Sequence, residues 1–163
     1  MSMIGNFLAI SPDQLTELVN EPALIDSLLY PEGGPDPERH LDIDKSWHAI
    51  HYVLNGSTWD GEGPLAFAVL GGEEIGEDVG YGPARYLDPD RVKTISAALS
   101  FVGPLEFNTK FNPSAWDAAE IYPHGWSDTG PEALEYVAHY YSLLSSFYRA
   151  AAERGDAVLA YLN

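Results

Sequence analysis

The apolar and polar positions of this chain predict a short series of strands and helices. IGNFLAI at 4–10 is apolar, β-rich and too short for a core helix, so it reads as a buried strand. Ser11-Pro12-Asp13-Gln14 then opens a helix: Ser11 can cap it, Pro12 suits the first turn and Gln14 completes a capping box. Leu15, Leu18 and Val19 give this helix its apolar face, and Pro22 limits it. PEGGPDP at 31–37 is a loop. With residues 43–54 placed on a helix, Ile43, Trp47, Ile50 and Leu54 fall within about 60° of one another and form a core-facing seam. YGPARYLD at 81–88 predicts a strand feeding a helix that Asp88 caps, with Pro89 in its first turn. Val92, Ile95 and Leu99 line that helix, and Gly103-Pro104 ends it.

Asn112-Pro113 starts another helix, which Pro123 terminates. Thr129-Gly-Pro-Glu132 has the form of a capping box for the last helix, and Gly155 stands where a C-terminal glycine belongs. Leu134, Val137, Tyr141, Leu144, Tyr148 and Ala151 make one seam of it. Tyr136, Tyr140, Leu143 and Phe147 make a second, an arc broad enough to contact more than one neighbour. AVLAYL at 157–162 lacks polar alternation and reads as an interior strand. The pattern predicts an α+β fold, a single compact domain over residues 1–163. Its small mixed β-sheet packs with about five helices, including a long C-terminal helix followed by a terminal strand.

Composition narrows the function classes. The chain carries 25 acidic residues against 8 basic ones, a formal charge of −17. Such a field repels nucleic acid and anionic lipid, because phosphate binding needs lysine and arginine to replace counterions. It also attracts a basic protein partner, alongside its contribution to solubility. The N-terminus lacks a charged n-region and a cleavage site, no apolar run reaches membrane-spanning length, and there is no cysteine. These features exclude disulfides and zinc–thiolate sites and point to a cytoplasmic location with no membrane association.

RHLDIDKSWHAIHYVLNG at 39–56 concentrates ionisable groups: three of the five histidines, two aspartates and a lysine. Asp44, His48 and His51 share one flank of the helix at 43–54, a geometry that could present two imidazoles and a carboxylate to one ion. The structural alternative has Asp42 or Asp44 accepting from the first free N–H groups of the helix, Lys45 pairing with either acid, and His51 bonding a backbone carbonyl. The structural alternative is preferred, and no metal or cofactor is expected.

LDIDK-x-W-x-x-I-H-x-x-L-x-G at 41–56 resembles the signature of the YfbM-like family, bacterial proteins carrying domain of unknown function 1877. MIG at the N-terminus, PLAFAVLGG at 64–72, YGPARYLDPDRV at 81–92 and IYPHGW at 121–126 resemble the same family. The resemblance covers nearly the whole chain. It carries over Leu41, Asp42, Ile43, Asp44, Lys45, Trp47, His51, Gly56, Tyr122, Pro123 and Trp126, and His48 falls at a variable position. It implies a compact mixed α and β domain and brings no established activity.

Other segments offer little chemistry. GGEEIGEDVGYG at 71–82 lacks the lysine of a phosphate loop and reads as a solvated acidic loop. No G-x-S-x-G or H-E-x-x-H is present. Two functions remain. The favoured one is a non-catalytic binding or interaction domain for a basic protein partner, motivated by the six carboxylates and absence of cations between Lys45 and Arg85. The alternative is a small-molecule-binding protein or enzyme with a pocket bounded by Asp42, Asp44, His51, Tyr122 and Trp126. There the loop at 121–126 folds over the helix, and His51 is the general base.

Overall fold

The computed structural model describes residues 2–163. Strands β1 (Gly5–Ile10), β2 (His40–Asp42), β3 (Glu73–Asp78), β4 (Pro83–Leu87) and β5 (Ala157–Leu162) form one sheet in the order β2-β1-β5-β4-β3. The α+β class holds. Within it, the mixed pairing anticipated for the sheet gives way to an all-antiparallel one. β5 lacks polar alternation because it lies in the middle of a sheet covered on both faces, with no parallel neighbour required.

The period of two divides β1 cleanly. Phe7 and Ala9 join the larger core, while Leu8 and Ile10 join a smaller one on the opposite face. The smaller core is closed by α1 (Pro12–Asn20) and α2 (Ile25–Leu29). The larger holds α3 (Trp47–Asn55), α4 (Pro64–Leu70), α5 (Pro89–Ser100) and the long α9 (Glu132–Arg154). Shorter helices α6 (Pro104–Thr109), α7 (Pro113–Ala118) and α8 (Trp126–Thr129) link α5 to α9. The helices beyond the expected set (α2, α4, α6 and α8) span seven residues or fewer, too short for a 3.6-residue period to register.

Several local expectations hold. Ser11 and Gln14 form a reciprocal capping box, and Asp88 accepts from the Arg91 amide at 2.8 Å. Gly155 takes the left-handed conformation that closes α9. Others do not. Val19 is exposed, because only Leu18 of α1 reaches the sheet fully. α9 starts at Glu132 without a side-chain cap; the Thr129 hydroxyl instead donates to the Gly125 carbonyl within α8. The acidic segment expected as a loop includes the edge strand β3, whose acids keep that edge from pairing with another chain.

The expected helix at 43–54 resolves into a 3₁₀ turn at 44–46 followed by α3, and its seam is fully internal: Ile43, Trp47, Ile50 and Leu54 are all buried. Glycine makes the close approach possible. A Cβ at Gly5 would stand 2.9 Å from Trp47 Cβ and 3.0 Å from Ile43 Cγ1, so β1 and α3 meet where β1 has no side chain.

Candidate functional site

Neither aspartate caps α3. Asp42 Oδ1 accepts the Asp44 amide at 2.6 Å, and Asp44 Oδ2 accepts the Tyr136 hydroxyl at 2.8 Å. Tyr136 in turn accepts the Lys45 amide at 3.0 Å, so this network fastens the turn to α9. Asp44 adopts φ 49°, which frees its carboxylate for α9 at the cost of a left-handed backbone. Lys45 forms no ion pair with either acid among the described residues. Burial, then the Asp44 hydrogen bond, raises the Tyr136 pKa, so its hydroxyl remains a donor across the ordinary pH range.

The two histidines on the flank of α3 explain the motif. His48 Nε2 stands 2.9 Å from the Thr58 carbonyl, and its Nδ1 accepts the Tyr122 amide at 2.9 Å. His51 Nε2 stands 3.2 Å from the Asp60 carbonyl, with Asn55 Nδ2 3.3 Å from its Nδ1. A carbonyl only accepts, so each Nε2 carries the proton. The Tyr122 amide only donates, so His48 Nδ1 is bare and the ring is neutral. Burial lowers both pKa values below the ordinary 6.5, in the same sense. The imidazoles are loop anchors: both hold the 58–60 backbone, and His48 also holds the 121–126 loop. Among the described residues no three His, Asp or Glu side chains come together as a metal-holding group.

The 121–126 loop does fold over α3, through residues other than His51. Tyr122 stacks on Trp47 with centroids 5.7 Å apart, and its hydroxyl accepts the Met3 amide at 2.9 Å. The Asp117 carboxylate accepts from the Trp126 and Ser127 amides at 2.8 and 2.9 Å, turning the chain into α8. Hydrogen bonds from Ser127 and Trp126 keep the Asp117 pKa below the usual carboxylate range. A cavity of about 230 Å³ opens there, lined by Lys45, Pro123, His124, Trp126, Thr129, Ala133 and Tyr136. Of the five residues singled out in the sequence, Trp126 lines it and Asp44 bonds to its wall. Tyr122 sits on its loop with the hydroxyl turned to Met3, and Asp42 is exposed beside it. His51 is buried against the Asp60 carbonyl and is not part of this cavity's wall.

Sequence reasoning missed what the other anchored loop carries. Trp59 rests on His48, with centroids 4.5 Å apart, yet is 58% exposed. With Phe67 and Leu70 of α4, and with Asp60 and Glu62, it lines a cavity of about 420 Å³. A signal was available: an indole inside NGSTWDGEG, a polar, glycine-flanked segment with no apolar period to absorb it.

The fold and these contacts define an α+β domain whose first long motif is a structural hub holding two loops, each beside a cavity. The chain belongs to the family described as domain of unknown function (DUF1877), which it matches over residues 1–161. It is similar to Protein YfbM of Escherichia coli (strain K12), 30% identical over 128 residues that cover 76% of this chain and 74% of that protein. It is also similar in fold to the crystal structure of a protein of unknown function, YfbM from Escherichia coli. The TM-score is 0.76 at 25% identity, covering 98% of this chain and 99% of that one. Among the described residues no helix is long and apolar enough to cross a membrane.

Proposed function

We propose that this chain is a non-catalytic binding protein that captures a basic polypeptide on the acidic surface carried by residues 60–78. One observation carries the reading: all six carboxylates of the cation-free stretch, Asp60, Glu62, Glu73, Glu74, Glu77 and Asp78, are exposed. Among the described residues only Glu73 of these forms an ion pair, with Arg91 at 3.5 Å, while Glu74 acts on the Arg85 charge without contact. Arg39 and Arg154 are both spent on Asp156, at 2.9 and 2.7 Å, where they brace the turn between α9 and β5. The remaining field steers a basic chain toward this face and repels nucleic acid. The same charges oppose strand addition at β3, so the partner engages through its side chains. A cysteine-free chain suits the reducing cytoplasm, where we place this binding.

The test is calorimetric titration of a lysine-rich peptide into the wild-type chain and into a Glu74→Gln, Glu77→Gln, Asp78→Asn variant. The reading predicts binding that weakens steeply with salt and weakens further in the variant. Absence of binding at low ionic strength, or binding indifferent to salt, refutes it.

A second reading places a small molecule in the cavity beside Asp44 and Trp126. It is favoured by one feature: Asp44 and His124, at φ 49° and 81°, both take left-handed backbone conformations next to that cavity. Lys45, His124 and the Tyr136 hydroxyl are the polar groups a ligand would meet. A thermal-shift screen against metabolites, with Tyr136→Phe as control, tests it; a ligand that stabilises both forms equally counts against this cavity.

A further inference from the structure

Trp59 packs on His48 and Trp47 with one side of its ring and leaves the rest open. The other tryptophans, Trp47, Trp116 and Trp126, are buried, whereas the Trp59 side chain leaves most of its surface in solvent. Its loop is nonetheless held firmly, by the His48 bond to Thr58 and the His51 bond to Asp60 on either side of it. Across the cavity Phe67 is 38% exposed, while its α4 neighbours Ala66, Ala68 and Val69 are buried. Gly71 leaves room for that residue: a Cβ there would stand 2.3 Å from Phe67 Cα and 2.7 Å from Phe67 Cδ1. Two aromatic side chains thus line one concavity, with Asp60 and Glu62 as the charged groups of its wall and no cation among the lining residues.

We infer that this cavity is a binding site for an alkylammonium group. Aromatic rings attract a cation to their faces, most strongly for tryptophan, and two carboxylates supply the complementary charge. The indole is free to do so because the imidazole beneath it is neutral, with the Tyr122 amide directed at His48 Nδ1. The volume of about 420 Å³ lies within the about 300–1,000 Å³ typical of small-ligand sites. The Arg85 charge acts on His51, on the far side of this loop's anchor. Arg85 is not part of the wall, and Glu74 lies close enough to act on its charge. This inference deepens the proposed function, on which it rests for the source of the group, a lysine side chain of the captured chain.

The experiment follows the tryptophan indole N–H signals by two-dimensional NMR during titration with choline, its neutral counterpart 3,3-dimethylbutan-1-ol, and a lysine pentapeptide. We expect choline to shift the Trp59 signal saturably and the neutral alcohol to bind at least about ten-fold more weakly. Trp59→Leu abolishes choline binding and Trp59→Phe retains part of it, both with the remaining spectrum unchanged. Equal binding of choline and the alcohol, or choline binding unaltered in Trp59→Leu, overturns the inference. The peptide arm separates the two ideas. Salt-sensitive peptide binding that leaves Trp59 unmoved refutes the cavity and preserves the acidic-face reading. A choline response without peptide binding supports the cavity as a small-cation site and refutes that reading.

Discussion

Trp126 and Trp59 sit on two loops that the same imidazole holds, and they are used in opposite ways. Trp126 is 4% exposed; its indole donates to the Ile121 carbonyl at 2.9 Å and meets Trp116 edge-on at 5.2 Å. Trp59 is supported from beneath only, by His48 and by Trp47 at 5.9 Å, and is mostly open to solvent. The cavity beside Trp126 has a lysine and a histidine in its wall; the cavity beside Trp59 has two carboxylates. Enclosed aromatic surface with a satisfied N–H contributes to stability, whereas the same side chain left open contributes little to it and stays free for contact with another molecule. Family-motif membership marks the enclosed ring and not the open one. Trp126 belongs to the resemblance and is a plug at the end of the core; Trp59 lies outside it.

Truncating each ring sharpens this contrast. Trp126→Ala should lower unfolding free energy by about 3–5 kcal/mol in chemical denaturation, as for other buried aromatic rings. A cost below about 1 kcal/mol would break the distinction. His48→Leu comes next. It strands the Tyr122 amide and the Thr58 carbonyl, at about 1–3 kcal/mol for each buried group left unpaired. Hydrogen exchange should quicken at the Tyr122 amide in that variant and stay slow in His51→Leu, which leaves the 121–126 loop alone.

The pH effect is smaller and shared by both loops. Burial depresses the folded-state pKa values of His48 and His51 below the ordinary 6.5, so the unfolded chain binds protons first as pH falls. Their contribution is fully present above about pH 6.5 and declines below it, down to the folded-state values. Denaturant midpoints measured from pH 8 to pH 5 should fall on the acid side, and His48→Leu should reduce that slope. The smallest effect belongs to Trp59→Ala, about 0.5 kcal/mol or less on stability, as for other exposed positions.

Much of the framework was legible in local pattern. Ser11 with Gln14, Asp88 with Pro89, the apolar seam from Ile43 to Leu54 and the unalternating AVLAYL each state their element within a few residues. Where reading failed, the cause was tertiary. Asp44 caps nothing because Tyr136, 92 positions away, offers a better-placed hydroxyl. Thr129 is drawn into α8, and the acids of β3 pass for loop because only Ile75 of that strand is buried, which leaves no apolar alternation to read. The site was legible only in composition. That His48 and His51 sit on one flank follows from helical spacing, but that the flank faces the backbone of 58–60 follows from the whole fold.

The most direct test of the account is the protonation state of His48. Long-range ¹H–¹⁵N correlation spectra of the imidazoles at neutral pH should show His48 neutral, with the proton on Nε2 and an unprotonated Nδ1 accepting from Tyr122. A His48 that is charged at that pH, or that carries its proton on Nδ1, could not hold both loops and would contradict the account.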